Sequence, residues 1–268
     1  MRFVFMGDVV GEPGREAVKA VVPRLKERYG PDFYVVNGEN SAGGNGLTPR
    51  LAYELMRYKI DVITLGDHTW DQREIIPFFE EEPRVIRPMN FPASCPGKGH
   101  VVVQGNGLKF GVVNALGRTF MGSAVDNPFL VLEELIEELR EETPMILVDF
   151  HAEATSEKIA MGRYLDGKVS CVVGTHTHVQ TADDTILPGG TAYLTDAGFC
   201  GAHDSVIGRE VEAIIERNQT SMPVRMKLAK KGVQADGIFV EVDDATGKAV
   251  RIERFQEKVN SDEPNSLY

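Results

Sequence analysis

Cysteine is scarce in this chain: Cys95, Cys171 and Cys200 stand alone, with no C-x-x-C pair. That excludes a disulfide framework and a thiolate zinc knuckle. It also points to a reducing, cytoplasmic setting, where the sequon Asn218-Gln219-Thr220 carries no meaning. No run approaches the roughly 18 apolar residues of a membrane span. The first residues enter the strand-like RFVFMG directly, without the basic-then-apolar layout of a signal peptide. Positive charge is short as well. Against 40 Asp and Glu there are 29 Lys and Arg, a net charge of −11, which argues against gripping a nucleic-acid backbone through a basic face. A small anionic substrate is still admitted, because bound cations dominate their local field. Linkers, low-complexity stretches and internal repeats are missing too. What is present is 268 residues of ordinary globular composition, 42% hydrophobic and 26% charged, enough to bury a sizeable core.

Histidine is sparse, six in all, yet four of the six stand at the ends of apolar runs. VSCVV at 169–173 reads as a buried strand, and GTHTH at 174–178 follows it, so His176 and His178 stand where strand opens into loop. Residues two apart in extended backbone point the same way, so the two imidazoles can converge on one point or on two adjacent ones. RFVFMGD places Asp8 after an apolar run, FYVVNGEN places Glu39 and Asn40 after another, and DVITLGDH places Asp67 and His68 after a third. MILVDFH adds His151 after a fourth. Each residue has a plainer reading as a helix cap, an Asx-turn or a core histidine. Sites in open α/β sheets form at the carboxyl ends of strands, and this many chemistry-bearing residues delivered to strand ends form a strong signal together. His100 opens a strand and reads as structural; His203 lies in a loop from which it could touch a substrate.

The remaining pattern alternates strand and helix, which predicts an α/β fold with mixed sheet covered by helices. Residues 13–30 read as a helix, with Pro13 in its first turn and Gly30 as its stop. Thr48 caps a second helix opening at Pro49, and 71–82 read as a third that Pro77 must kink or end. Two strands over 100–116 flank Asn106-Gly107, a type I′ hairpin signal. Residues 126–142 form an amphipathic helix starting at Asp126 or Asn127. The last third is richer in β-structure: a hairpin over Pro188-Gly189-Gly190, then antiparallel strands at 224–232, 237–244 and 248–259, with Asp244–Gly247 turning between the last two. Residues 1–259 read as a single domain and 260–268 as a frayed tail.

Hard carboxylates with imidazoles and no thiolate suit iron, manganese or zinc better than calcium or copper. Seven or eight such groups are too many for one tetrahedral ion and about right for two. Two metals about 3.5–4 Å apart are a common device for phosphate-ester hydrolysis.

The order Asp, Gly-Glu-Asn, Gly-Asp-His, His, Gly-Thr-His-Thr-His resembles the calcineurin-like metallophosphoesterases. More narrowly, GDVVG at 7–11, NGENSAGGNGLT at 37–48, ITLGDHTWD at 63–71 and GTHTHVQTAD at 174–183 resemble the YmdB-type phosphodiesterases. The similarity continues through GFCGAHDSVIG at 198–208. The resemblance implies a sandwich of two mixed β-sheets flanked by helices. It implies that Asp8, Glu39, Asn40 and His178 hold one metal, that Glu39 bridges to a second, and that Asp67, His151 and His176 complete the second. The cofactors would be two transition-metal ions, iron or manganese first, with zinc admitted. His68 would sit at the leaving group as a general acid.

The implied reaction is hydrolysis of a small phosphodiester by a metal-bridging hydroxide. The implied substrates are 2′,3′-cyclic nucleotides opened to 3′-nucleotides, with 3′,5′-cyclic AMP a further candidate. The alternatives are a phosphomonoesterase of the same fold, or a metal-stabilised regulatory protein with little turnover. No membrane partner is implied, a large nucleic acid is disfavoured by the charge, and a homo-oligomer is left open. The chain departs from the wider superfamily in three places. Asp8-Val9-Val10 lacks the histidine of an Asp-x-His motif, and Asn40 would supply the missing ligand. Glu39 stands where the bridge is usually Asp, and Asp67 where Asn is usual. The Asp67 charge, worth roughly 4 kcal/mol against a cation about 4 Å away at an effective dielectric near 20, should tighten the second metal.

Overall fold

In the computed structural model, which describes residues 1–259, the apolar runs form strands that sort into two sheets. The chain passes through β1 (Arg2–Met6), β2 (Asp8–Val9), α1 (Gly11–Tyr29), β3 (Phe33–Asn37), α2 (Pro49–Arg57), β4 (Val62–Thr64), α3 (Ile75–Glu81) and β5 (Val85–Ile86). There follow β6 (His100–Gly105), β7 (Leu108–Leu116), α4 (Pro128–Glu142), β8 (Ile146–His151), α5 (Thr155–Tyr164) and β9 (Cys171–Thr175). The last elements are β10 (Thr185–Ile186), β11 (Ala192–Leu194), β12 (Phe199–Ala202), α6 (Val211–Thr220), β13 (Val233–Val242) and β14 (Ala249–Lys258). The first sheet is ordered β2-β12-β13-β1-β3-β4-β5, with β14 also paired to β13; the second is ordered β10-β11-β9-β8-β7-β6. Both are mixed. In the first, β1, β3, β4 and β5 run parallel while β13 is antiparallel to β1, β12 and β14. In the second, β7, β8, β9 and β11 run parallel between antiparallel edges β6 and β10.

Period-two alternation explains the layering. From β1, Phe3 and Phe5 enter a core shared with Phe110, Val112, Leu147 and Val173 of the other sheet. Their neighbours Val4 and Met6 point the opposite way, into a core with Val18, Val21 and Leu25 of α1 and Leu51 and Leu55 of α2. On the far side of the second sheet, Val148, Phe150 and Val172 meet Leu132, Ile136 and Leu139 of α4 and Met161 of α5. The order is helix, sheet, sheet, helix. Strands covered on both faces read as continuous apolar runs, which is why β1, β3, β8 and β9 are so legible.

Local signals hold where the chemistry is explicit. Gly30 ends α1 in the left-handed conformation with its N–H on the Lys26 carbonyl. Thr48 caps α2, its hydroxyl accepting from Leu51 N. Asn127 caps α4 by accepting from Phe129 N at 3.1 Å. Asn106 and Gly107 both take positive φ, as a type I′ turn requires.

Four expectations need correction. Pro77 neither kinks nor ends a helix: α3 starts at Ile75, which puts Pro77 in the first turn, where a backbone N–H has no helical partner to lose. Residues 224–232 form no strand; Leu228 makes a single bridge to Arg209. Their alternation is right, but β13 already pairs with β14 along its length and with β12 and β1 in succession, which leaves no free edge. The strand expected at 169–173 lies two residues later, as β9, and His151 is the last residue of β8 instead of following it. Helices α5 and α6 have no counterpart in the pattern. The expected tail, 260–268, lies outside the described residues.

Candidate metal centre

The carboxyl ends of β1, β3, β4, β8 and β9 meet at one rim. There Glu39, Asp67, His151 and His176 each offer an atom, all within 4.8 Å of one another. His151 Nε2 lies 3.0 Å from Asp67 Oδ1, 3.2 Å from Glu39 Oε1 and 3.0 Å from His176 Nδ1. Alongside stands a second group. His178 Nε2 is 3.7 Å from Asp8 Oδ1 and 3.3 Å from Asn40 Nδ2, and Asn40 Nδ2 donates to Glu39 Oε1 at 3.0 Å. Glu39 therefore touches both groups. Gly66 makes room for this: a Cβ there would lie 2.3 Å from Glu39 Oε2 and 2.5 Å from His151 Nε2.

Each imidazole presents one nitrogen to the centre and has the other held. His151 Nδ1 meets Thr175 Oγ1 at 2.9 Å, and that hydroxyl donates to Asp149 Oδ1 at 2.7 Å. His176 Nε2 lies 3.2 Å from Glu153 Oε2, and His178 Nδ1 lies 3.2 Å from the Ile207 carbonyl. Such outer partners fix ring orientation and tautomer around a metal. The two histidines of GTHTH do not sit on extended backbone. His176 has φ of 97° and His178 of 63°, and this turn sends His176 towards Asp67 and His178 towards Asp8. Of the two readings of the H-x-H spacing, two adjacent points is the one realised, by left-handed backbone of the kind that clusters at functional sites.

The electrostatics follow from burying acids among imidazoles. Burial would raise Asp8, but His178, His151 and the His176 amide outweigh it and hold the carboxylate well below its usual range. Burial likewise opposes ionisation of Asp67, and His151 and His176 overcome it. On the other side of these pairs, burial would lower His151, and Glu39, Asp67 and Asp8 instead drive it well up. Behind the centre, burial pushes Asp149 up to about 6, even though Thr64, Thr175 and Asn37 all donate to it. One observation tests whether a cation fits. Asp8 Oδ1 is buried with no hydrogen-bond partner, an orphan of the kind that calls for an explanation such as an ion. Oxygen and imidazole donors with no thiolate suit a hard or borderline metal, and the Glu39–Asp67–His151–His176 group could hold one.

A cleft of about 340 Å³ opens over these residues, walled by Val10, His68, Glu153, Thr177, Ile207 and Arg209. His68 lies outside the metal-competent group. Its backbone N–H donates to Glu39 Oε2 at 3.0 Å, and its Nδ1 meets Asp71 Oδ2 at 2.8 Å. His203 does not line the cleft; it is stacked on Phe199 at 4.1 Å between ring centroids. His100 opens β6. Sequence reasoning missed Asp71, Glu153 and Arg209, which come from turns and loops with no apolar run to mark them.

Two mixed sheets face to face, with a carboxylate–imidazole cluster at their shared rim, define a phosphoesterase-type fold. The chain belongs to the YmdB-like protein family, whose model matches residues 4–255. It is 52% identical to the 2′,3′-cyclic-nucleotide 2′-phosphodiesterase of Bacillus subtilis (strain 168), over 95% of this chain and 96% of the relative. A crystal structure of a hypothetical protein from Thermus thermophilus matches with a TM-score of 0.90 and 41% identity, covering 96% of this chain and 99% of the other. A novel phosphatase of Mycoplasma pneumoniae matches with a TM-score of 0.90 and 37% identity, covering 96% and 93%. Among the described residues no helix is long and apolar enough to cross a membrane.

Proposed function

We propose that this chain is a dinuclear-metal phosphodiesterase that opens 2′,3′-cyclic nucleotides to 3′-nucleotides. It is a phosphoric-ester hydrolase; the finer reading is carried by the unpartnered, buried Asp8 oxygen beside the Glu39–Asp67–His151–His176 group of oxygen and imidazole donors. Asp8, Glu39, Asn40 and His178 would hold one ion; Asp67, His151 and His176 would hold the other, with Glu39 shared. Iron and manganese suit these donors best, and zinc fits them too. The ions supply Lewis acidity towards the phosphoryl oxygens and an activated water. The relative from Bacillus subtilis, named for the 2′ bond, supports the choice of substrate, and 3′,5′-cyclic AMP is the next candidate.

The chain's own residues account for orientation and proton transfer. The outer contacts of Thr175, Glu153 and the Ile207 carbonyl keep the three ligand histidines aimed inward. His68 stands at the edge of the cleft with Nδ1 engaged by Asp71, and among the described residues its Nε2 has no partner. As a water oxygen bonds to phosphorus and the P–O2′ bond breaks, His68 protonated at Nε2 gives its proton to O2′, while the 3′ ester stays intact. One domain over residues 1–259, working in the cytoplasm, carries the whole reaction.

The test is a substrate panel on metal-loaded protein: 2′,3′-cyclic AMP, bis-p-nitrophenyl phosphate and p-nitrophenyl phosphate. Preference for the two diesters, with 3′-AMP as the product, is expected. Turnover of the monoester alone would make the chain a phosphomonoesterase. Turnover of none with metal bound would favour a regulatory role.

A further inference from the structure

Arg209 stands in the wall of the metal cleft without a counter-charge. Its Nη2 donates to the Gly44 carbonyl at 3.1 Å and to Asn45 Oδ1 at 2.9 Å, both neutral acceptors. Among the described residues neither Nε nor Nη1 has a partner, and no carboxylate pairs with the group. Other arginines near the site or inside the protein are satisfied. Arg15 pairs with Glu54, and Arg87 spends its donors on the carbonyls of Pro88, Cys95 and Pro96. Burial pushes the Arg209 guanidinium down from its usual range, though an arginine keeps its charge in a protein. A half-buried, unpaired cation is costly unless something anionic joins it.

The surroundings are built for this side chain. Gly44 has a φ of 96°, and a Cβ there would meet Arg209 Nη2 at 2.5 Å, so the guanidinium lies against bare backbone. Asn45, which receives Arg209, also donates through Nδ2 to Asp71 Oδ2 at 3.3 Å, the carboxylate that holds His68. Two residues before Arg209, the Ile207 carbonyl holds His178. The arginine is thus tied to His178 on one side and to His68 on the other.

We propose that Arg209, seated on Gly44 and Asn45, is an anion subsite of the cleft that takes a non-bridging oxygen of the substrate's phosphodiester group. This rests on the phosphodiesterase reading above and adds the residue that grips the phosphoryl group from the wall of the cleft. The unengaged Nε–H and Nη1–H each offer a charged donor to a single phosphate oxygen, while both forks of the group share the Nη2 that Gly44 and Asn45 hold. Charge on those oxygens grows as the phosphorus becomes five-coordinate, so the contact strengthens towards the transition state. Through Asn45 and Asp71 the same contact sets the distance between the phosphoryl group and His68.

Two readouts on metal-loaded protein test it: inorganic phosphate binding by calorimetry, and steady-state hydrolysis of 2′,3′-cyclic AMP. Arg209→Gln should keep the wild-type metal content, bind phosphate at least about tenfold more weakly, and lose about 10²–10³-fold in kcat/KM. Arg209→Lys should recover part of the phosphate affinity. Added guanidinium should restore turnover to Arg209→Ala, which a purely structural role would not allow. Unchanged phosphate affinity and kcat/KM in Arg209→Gln would overturn the proposal, as would loss of metal from that variant. If wild type hydrolyses no diester, the functional reading fails, while the phosphate titration still decides the subsite by itself.

Discussion

His68 and Glu39 are joined by a 3.0 Å hydrogen bond, yet their losses should differ in kind. Glu39 touches both donor groups, so Glu39→Gln should strip metal and activity together. His68→Ala should keep its metal and lose on the order of 10²–10⁴-fold in turnover, the usual size of a general-acid effect. Metal analysis beside kinetics reads the contrast, and a His68→Ala protein with an empty site would make His68 a ligand. Asp67→Asn removes one negative charge and leaves the side-chain shape almost unchanged. The second ion should then be lost at lower chelator concentration than in wild type. Unchanged chelator resistance would mean that Asp67 does not ligate. At this scale the candidate site was legible because every proposed ligand closes or follows a buried strand. Asp71 and Glu153 were not legible, because their roles rest on contacts to His68 and His176 that no local pattern encodes. The spacing of His176 and His178 marks them as a pair, but their left-handed backbone is not foreseeable from two alternating residues.

Elements carry the site as rigidly as their ends allow, and Gly66, just after β4, is where that is most exposed. Gly66→Ala removes no donor, but its Cβ would press on Glu39 Oε2 and His151. The expected outcome is a folded protein, by circular dichroism, with reduced metal content; full metal content would mean that the ligands shift freely. β13 offers a separate test through Asp236, which burial pushes up to about 7, with Gln234 and Gln256 pulling the other way. The unfolded carboxyl ionises near 3.8, so the folded state binds the extra proton between about pH 4 and 7, and stability falls as pH rises across that window. In metal-free protein, Asp236→Asn should flatten this fall in melting temperature. Parallel wild-type and variant curves would contradict it. Helices α1, α2 and α4 were legible because their end signals and apolar stripes agreed. α6 was not, since it buries no residue and so carries no stripe, and the buried face of α5 is Lys158, Met161 and Gly162, which no hydrophobic pattern announces.

At the scale of the molecule, two sheets share one core, and their strands end at a common rim, where loops can differ without disturbing the packing beneath. Such a division places chemistry on strand ends held by a stiff scaffold. The α/β class was legible from continuous apolar runs alternating with helices, whereas the pairing of strands into two sheets depended on long-range contacts such as Phe3 with Phe110. The net charge of −11 is tolerable around an anionic substrate only if cations gather where the acids do, which makes metal content the hinge of the account. The most direct measurement is elemental analysis of the wild-type chain after reconstitution with manganese or iron and removal of free metal. Close to two transition-metal ions per chain are expected, falling together in Glu39→Gln. A single ion per chain, or only calcium retained, would contradict it.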